Sequence, residues 1–350
     1  MERAVILGAG FISHTHAEAL KKCGIEVYAV VDQNEAAAKE FAKKWDIPNY
    51  GSDMNILFDE VVTTVHVCTP PDTHYNIVKK LLLAKKNVLC EKPLCFLDEE
   101  AKELVKLAKD NHCRCATNLN VRFHNMSQKM KDLVQSAEFG PMNFVHGKYL
   151  QEFHILPTFY NWRYIPELAG KMRAVTEIGT HWFDIVQYVS GQKITAVSAT
   201  FGSFNQKRTL KDGMMYPYQE GSEAIFVDSE DVAIITLRFD NQSIGSVVLS
   251  EVSHGYSNYL SYEMTGHKMT VGWNSQENNE IYINQESKSN VIRDGFGNGF
   301  NDSFHRLIES FYNGDENCPT FDEGARIVRI CNAVYESATH NSMWVEIKEE

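Results

Sequence analysis

No apolar run in the 350-residue chain approaches the roughly 20 residues that a membrane-spanning helix needs. The opening MERAVILGAG has no basic segment leading into a cleavable apolar stretch, so the expectation is a cytoplasmic protein without membrane contact. CxxC pairs are also missing. The eight cysteines (Cys23, Cys68, Cys90, Cys95, Cys113, Cys115, Cys318, Cys331) are scattered, and with no export signal they read as reduced thiols, most of them in the core. Positive charge is scarce: 34 Lys and Arg face 46 Asp and Glu, and a net charge of −12 opposes nonspecific attraction to nucleic acid or anionic membrane. Repeats and low-complexity tracts are absent. What is present is an ordinary globular chain, 43% hydrophobic and long enough for about two domains with cores of their own. A small-molecule substrate fits this balance.

Up to about residue 118, short β-branched runs alternate with helical stretches, the pattern of parallel βαβ units and an α/β fold. Strands are predicted at Arg3–Leu7, Glu26–Val31, Thr64–Cys68, Val88–Cys90 and Cys115–Thr117. Helices are predicted near 11–22, 34–44, 72–84 and 98–110, the last capped by Asp98. Beyond residue 120 the pattern changes. A helix near 126–136 precedes a strand at 142–150, and a helix near 179–189 precedes long alternating strands such as Thr195–Phe201, Asp231–Phe239, Ser243–Ser250 and Ser261–Thr265, the signature of a largely antiparallel sheet with one face on helices. The polar stretch 204–229 reads as a loop or edge excursion. Late helices near 302–312 and 322–340 and a short strand at Trp344–Ile347 end the chain.

Two segments carry candidate chemistry. In ILGAGFISHTHAEAL, Gly8 and Gly10 sit between the first strand and first helix, where backbone amides can approach a pyrophosphate, with Phe11 and Ile12 next in the loop. Ser13 stands where GxGxxG has its third glycine. Asp32 ends the second strand, where a carboxylate can take ribose hydroxyls or cap the following helix; the order strand, glycine loop, helix, acid favours a dinucleotide. In EIGTHWFD, helical spacing puts Glu177, His181 and Asp184 at i, i+4 and i+7 on one face. Imidazole can accept a hydroxyl proton while a carboxylate orients it. A metal site is the competing reading of that face, but convergent ligands are too few, and no metal is expected. A third stretch, NVLCEKPLC, raises a question: an apolar strand runs directly into Glu91, Lys92 and Pro93, at the end of a parallel sheet where ligands bind.

Taken in order, GAGFISHTHAEAL, VHVCTPPDTHYNIVKKLL (65–82), EKP (91–93) and EIGTHWFDIV (177–186) resemble the Gfo/Idh/MocA oxidoreductases, which include glucose-fructose oxidoreductase and inositol 2-dehydrogenase. The resemblance spans essentially the whole chain. It implies an N-terminal Rossmann domain over 1–119 with a doubly wound parallel sheet. An α+β domain over 120–350 follows, whose largely antiparallel open sheet carries substrate and often the oligomer interface, with the C-terminal helices able to pack back on the first domain. A homodimer or homotetramer through that sheet is expected. It further implies NAD-dependent hydride transfer at a secondary hydroxyl of a sugar, cyclitol or related polyol. Lys92 would stabilise the reacting oxygen, His181 would carry the proton, and Glu177 and Asp184 would orient it. Glu91 would face the nicotinamide ribose and hold the lysine region in place, and Pro93 would shape the turn, often through a cis bond. Further cofactor contacts would come from Thr69, Pro70, His74, Asn120, Trp162 and Arg163, and substrate contacts from Lys92, Arg122, Arg163 and His181. Arg122 could also be structural. Asp32, followed by Gln33 and Asn34 with no cation, favours NAD over NADP.

Two departures from the family stand out: glutamate at 177 where aspartate is usual, and AGKMRAV (169–175) in place of a glycine-rich run. There Lys171 and Arg173 could meet an anionic substrate group or be solvated. His14, His66, His124 and His154 read as packing or surface residues. Rival functions are a glycosidase that uses NAD for transient oxidation and elimination, and a non-enzymatic dinucleotide sensor.

Overall fold

The computed structural model describes residues 2–294 and 299–348. Two compact units divide the chain: residues 1–123 with 300–328, and residues 124–299 with 329–350.

The first unit alternates β1 (Arg3–Leu7), α1 (Phe11–Lys22), β2 (Glu26–Val31), α2 (Glu35–Trp45), β3 (Asn49–Gly51), β4 (Thr64–Val67), α3 (His74–Leu83), β5 (Asn87–Cys90), α4 (Asp98–Asp110) and β6 (Cys115–Thr117). The strands form one parallel sheet in the order β3-β2-β1-β4-β5-β6. This is the doubly wound order of a Rossmann fold. Its central strands are buried on both faces, which is why they read as unbroken apolar runs. β3 escaped the sequence reading because three residues at an edge carry no period. The cap of α4 is also corrected: Leu97 precedes the helix, Glu100 reaches back to its amide at 3.3 Å, and Asp98 instead pairs with Lys102 at 3.1 Å. Asn34 caps α2 by accepting from Ala37 N at 3.2 Å, which leaves Asp32 without that task.

The second unit begins with α5 (Ser127–Val134), β7 (Met142–Leu150), β8 (Thr158–Phe159), α6 (Pro166–Ala169), a π-helical turn (Val175–Gly179) and α7 (Thr180–Ser190). Strands follow: β9 (Ile194–Gly202), β10 (Lys207–Lys211), β11 (Met214–Pro217), β12 (Ala224–Phe226), β13 (Val232–Phe239), β14 (Ile244–Ser250), β15 (Tyr259–Gly266), β16 (Thr270–Asn274), β17 (Glu280–Gln285) and β18 (Lys288–Arg293). The chain ends with α8 (Phe300–Asn313), α9 (Phe321–Thr339) and β19 (Val345–Glu346). Here α8 belongs to the first unit, packing Phe304, Leu307, Ile308 and Phe311 against Ala17 and Leu20. The main sheet of the second unit runs β18-β17-β16-β15-β7-β14-β13-β9-β19 and is antiparallel except where β14 meets β7. The excursion at 204–229 is more ordered than expected: β10, β11 and β12 join β8 in a small sheet. Strands of two to five residues are too short for the alternation that would reveal them.

α7 lies close on the main sheet because β7 has glycine at 147. A Cβ there would fall 2.2 Å from Ser261 O and 2.7 Å from Trp182 Nε1. The gap admits the buried Trp182 ring, whose Nε1 donates to Ser261 O at 3.1 Å. Among the described residues no helix is long and apolar enough to cross a membrane, and no group of His, Cys, Asp and Glu could hold a metal ion. All eight cysteines are free thiols.

Candidate active site

Because the first sheet is parallel, the residues that follow β1, β2, β4 and β5 all emerge along its carboxyl edge. Gly8, Asp32, Thr69 and Lys92 therefore share that edge. Gly8 has φ +98°, and a Cβ on it would lie 2.9 Å from Cys68 O, so only glycine lets the first turn approach β4 this closely. Gly10 precedes α1, and a Cβ there would meet nothing within 4 Å, which leaves open space in front of the helix amides. Phe11, 85% exposed, stands beside that space, while Ile12 turns back into the core. Ser13 is fully buried. The Asp32 carboxylate is held by two amides, Ala9 N at 2.7 Å and Asn34 N at 2.8 Å. A glycine cradle at a helix start, beside an oriented carboxylate, fits the diphosphate and ribose of a dinucleotide.

Thr73 Oγ1 donates to Pro70 O at 2.8 Å, so Thr69 Oγ1, 2.6 Å away, donates to Thr73. His74 lies behind this turn and is fully buried. Its Nδ1 is 2.8 Å from Pro93 O and its Nε2 2.9 Å from Thr69 O, so the ring ties the turn after β4 to the turn after β5. Burial lowers its pKa, against the pull of both carbonyls and of Glu91 and Asp72. The Lys92–Pro93 peptide is cis. Lys92 is half-buried, whereas Glu91 points inward: its Oε1 accepts from His16 Nε2 at 2.9 Å and Asn118 Nδ2 at 2.5 Å. Burial works against its charge, but His16, Asn118 and Lys92 hold its pKa below the ordinary glutamate value. Of the two roles expected of Glu91, facing the nicotinamide ribose and holding the lysine region in place, these inward contacts fit the second.

Asn120 and Arg122 are likewise drawn inside the first unit. Asn120 Nδ2 donates to Ser303 Oγ at 2.9 Å, and Arg122 lies 3.6 Å from Glu323 with its side chain almost wholly buried. Of the two readings open for Arg122, the structural one matches this placement.

In the second unit Glu177, His181 and Asp184 follow one another along one continuous helical stretch. Glu177 lies in the π turn, and His181 and Asp184 lie on α7. Asp184 is buried, His181 half-buried, and the Glu177 carboxylate accepts from Arg163 Nε at 3.2 Å. Arg163 in turn covers the Trp162 ring at 4.5 Å, so Trp162, Arg163 and Glu177 form one cluster. Tyr149 adjoins it, its hydroxyl pKa pushed up by burial and by Glu177.

The π turn starts on a buried ionic cluster that the sequence left open. Arg173 neither faces solvent nor waits for a substrate anion: Nε bonds Glu251 at 2.5 Å and Nη2 bonds Asp231 at 2.5 Å. Burial opposes its charge, yet these carboxylates hold its pKa above the usual guanidinium value. Glu230 accepts the amides of Arg173 (3.0 Å) and Val175 (2.8 Å), which pins the entry to the turn, and burial pushes its own pKa up to about 7. His154 packs between Asp231 (3.3 Å) and the Tyr164 ring (5.4 Å). Lys171 is exposed over Tyr335 at 5.2 Å. His14 stacks on Phe41, His124 on Trp273. His16, Asn118, Tyr149 and Glu230 had no signal in the sequence, since each acts through partners 27 or more positions away.

Residues 2–119 match the model of the Gfo/Idh/MocA oxidoreductases with an NAD-binding Rossmann fold, and residues 131–347 match that family's C-terminal α/β domain. The chain belongs to this family. Levoglucosan dehydrogenase of Pseudarthrobacter phenanthrenivorans is 24% identical, over 98% of this chain and 97% of that protein. Inositol 2-dehydrogenase of Rhizobium meliloti is 23% identical, over 95% of both. Levoglucosan dehydrogenase in complex with NADH and L-sorbose superposes with a TM-score of 0.90 at 24% identity, covering 99% of each chain. An inositol dehydrogenase homologue from Azotobacter vinelandii with NAD+ gives 0.83 at 22% identity, over 99% and 97%. At this identity the superpositions show a shared fold.

Proposed function

We propose that the protein oxidises a secondary hydroxyl of a sugar, cyclitol or related polyol with NAD, reversibly. The observation that carries this reading is the shared carboxyl edge, where the Gly8–Gly10 cradle, the amide-held Asp32 and Lys92 emerge from one parallel sheet. NAD, when bound, supplies the two-electron redox chemistry. The chain's own groups supply position and charge. The Lys92 ammonium stabilises the substrate oxygen as it gains alkoxide character. His181 takes the hydroxyl proton, with Glu177 and Asp184 setting the electrostatics of its helix. Arg163, fixed by Glu177 and Trp162, offers a donor to a polyol hydroxyl. A screen of sugars, cyclitols and sugar acids, read by NADH formation, tests this: sustained NADH production with at least one of them supports it, and aglycone release without net NADH or no turnover at all would overturn it.

Asp32 accepts ribose hydroxyls and repels a 2′-phosphate, and neither Gln33 nor Asn34 offers a cation. NAD is expected to exceed NADP in kcat/KM by at least about tenfold, equivalent to ~1.4 kcal/mol. Steady-state rates with both cofactors decide it, and a preference for NADP would refute the role of Asp32.

The outer face of the nine-stranded sheet is also proposed to join copies of the chain as a homodimer or homotetramer. Ile234 pairs with Val248 and Ile244 with Phe144 across adjacent strands, and all four are exposed, Ile244 by 60% and Ile234 by 54%. Apolar residues clustered on one face mark an association surface. Light scattering is expected to give a mass of two or four chains, reduced by Ile234→Lys with Ile244→Lys. A monomeric wild type would refute it.

A further inference from the structure

Behind the Glu91–Lys92 turn runs a line of buried polar side chains that the reaction above does not use. His16 Nε2 is 2.9 Å from Glu91 Oε1, His16 Nδ1 is 2.8 Å from His66 Nδ1, and His66 Nε2 is 3.0 Å from the Tyr312 hydroxyl. Tyr312 hydrogen-bonds Thr64, and Thr64 lies 3.5 Å from the part-exposed Glu2 carboxylate. His16, His66 and Thr64 are fully buried. Thr64 opens β4 and Glu91 follows β5, and since Thr64 pairs with Asn87 and Val67 with Cys90, the line crosses from the amino edge of the sheet to its carboxyl edge.

Its protons are ordered by the carboxylate at one end. Glu91 Oε1 can only accept, so His16 donates from Nε2; a neutral His16 then accepts at Nδ1, and His66 must donate from its own Nδ1. That leaves His66 Nε2 to accept from Tyr312. Every hydrogen bond from Tyr312 to Glu91 therefore points toward Glu91, while at the far end the Thr64 hydroxyl donates to Glu2. Burial keeps the His66 pKa well below its ordinary value, so His66 carries a single ring proton. The opposite polarity makes the same contacts, against the pull of Asn118 and Lys92 on the Glu91 charge: Glu91 protonated, His16 with its proton on Nδ1, His66 with its proton on Nε2.

We propose that Tyr312, His66 and His16 are a proton relay that equilibrates Glu91, beside Lys92, with solvent at the opposite edge of the sheet. In one passage Tyr312 gives its proton to His66 Nε2, His66 Nδ1–H passes to His16 Nδ1, and His16 Nε2–H passes to Glu91. Tyr312 regains a proton through the Thr64 hydroxyl from water at Glu2. One proton enters, one arrives, and no other bond changes. The consequence for chemistry rests on the dehydrogenase reading: an ionised Glu91 partly cancels the Lys92 ammonium field, and a protonated one releases it.

Other charged and titratable groups surround the line. Glu91 also feels Lys92, His74, Cys68 and Cys90. At the far end Tyr312 faces Glu2, Arg114 and Cys23, and burial pushes its hydroxyl pKa up. Phe304 closes over His16 and Phe311 over His66, excluding water from the middle.

The test uses 15N-histidine-labelled full-length protein, with His16→Asn and His66→Asn serving to assign the two rings. The wild type is expected to show His16 as the Nε2–H tautomer and His66 as the Nδ1–H tautomer. Exchange of their ring protons with water should slow by about tenfold or more in Tyr312→Phe, which removes the hydroxyl bonded to His66 Nε2 and keeps both imidazoles and the ring stacked on His66. Thr64→Val cuts the next link and gives the same answer if Tyr312→Phe fails to fold. Unchanged exchange in a folded variant, or a His66 proton on Nε2 in the wild type, would overturn the relay. Turnover then tests its use: the cut variants should lower kcat and leave KM for NAD unchanged, because a relay sets how fast Glu91 exchanges its proton and not its equilibrium. Should the wild type turn over no polyol, the dehydrogenase reading fails on its own, while the exchange rates still decide whether the relay exists.

Discussion

Replacing Lys92 or His181 with alanine should lower kcat by about 10²- to 10⁴-fold, or ~2.7 to 5.5 kcal/mol of transition-state stabilisation. Lys92 follows β5 at the carboxyl edge, beside a cis Pro93 and anchored through Glu91 to His16 and Asn118. His181 begins the second position of α7, directly after the π turn pinned by Glu230. Both are positioned by buried neighbours rather than by the groups they would act on. Their loss should therefore appear in turnover, with NAD affinity changing far less. Lys92→Arg retains charge but not a point ammonium and should recover only part of the rate. Steady-state kinetics at saturating NAD, with NAD binding measured separately, decide the matter. Near wild-type kcat in either alanine variant would remove that residue from the mechanism. An equal loss of NAD affinity would make its role structural.

Arg173→Met should cost about 3–5 kcal/mol, because removing one partner of a buried ionic cluster strands the others. Glu251 and Asp231 lie 2.5 Å from the guanidinium and are almost wholly buried, so each loses a charge-assisted hydrogen bond in the variant. At ~2–4 °C per kcal/mol for a unit of this size, thermal unfolding should move down by roughly 6 to 20 °C. The charge, not the volume, is what matters here, since methionine is similar in reach. Adding Glu251→Gln to Arg173→Met should restore part of the loss, as one stranded carboxylate is then neutral. A change below about 1 kcal/mol would mean that Arg173 contributes no more than an exposed pair. Because the cluster holds the start of the π turn, the single variant should also raise KM and lower kcat at temperatures where it remains folded.

Much of this architecture was legible before any coordinates. The glycine turn, the acid after the second strand and the charge pair after β5 follow from local rules: φ freedom at Gly8, the end of an apolar run, and a helix starting at a known offset. Their strands and helices matched to within a residue or two because each has its own periodicity. The three-residue β3 and the small sheet of β8, β10, β11 and β12 lack a period, so nothing local announced them. Glu177, His181 and Asp184 were identifiable as residue types, but the i, i+4, i+7 count assumed uniform α winding, and the π turn under Glu177 left no local mark.

What the sequence by itself determined was the α/β and α+β division, the nucleotide-binding edge, and which residues carry charge at strand and helix ends. Only the tertiary structure decided what those charges meet. Arg173 became a buried structural cation because β13 and β14 bring Asp231 and Glu251 to it, and Arg122 because α9 brings Glu323. Glu91 turned inward because α1 places His16 behind it. Periodicity records which face of an element is buried, but an ion pair or hydrogen bond depends on a partner tens to hundreds of positions away. That partner is chosen by how the helices and sheets pack.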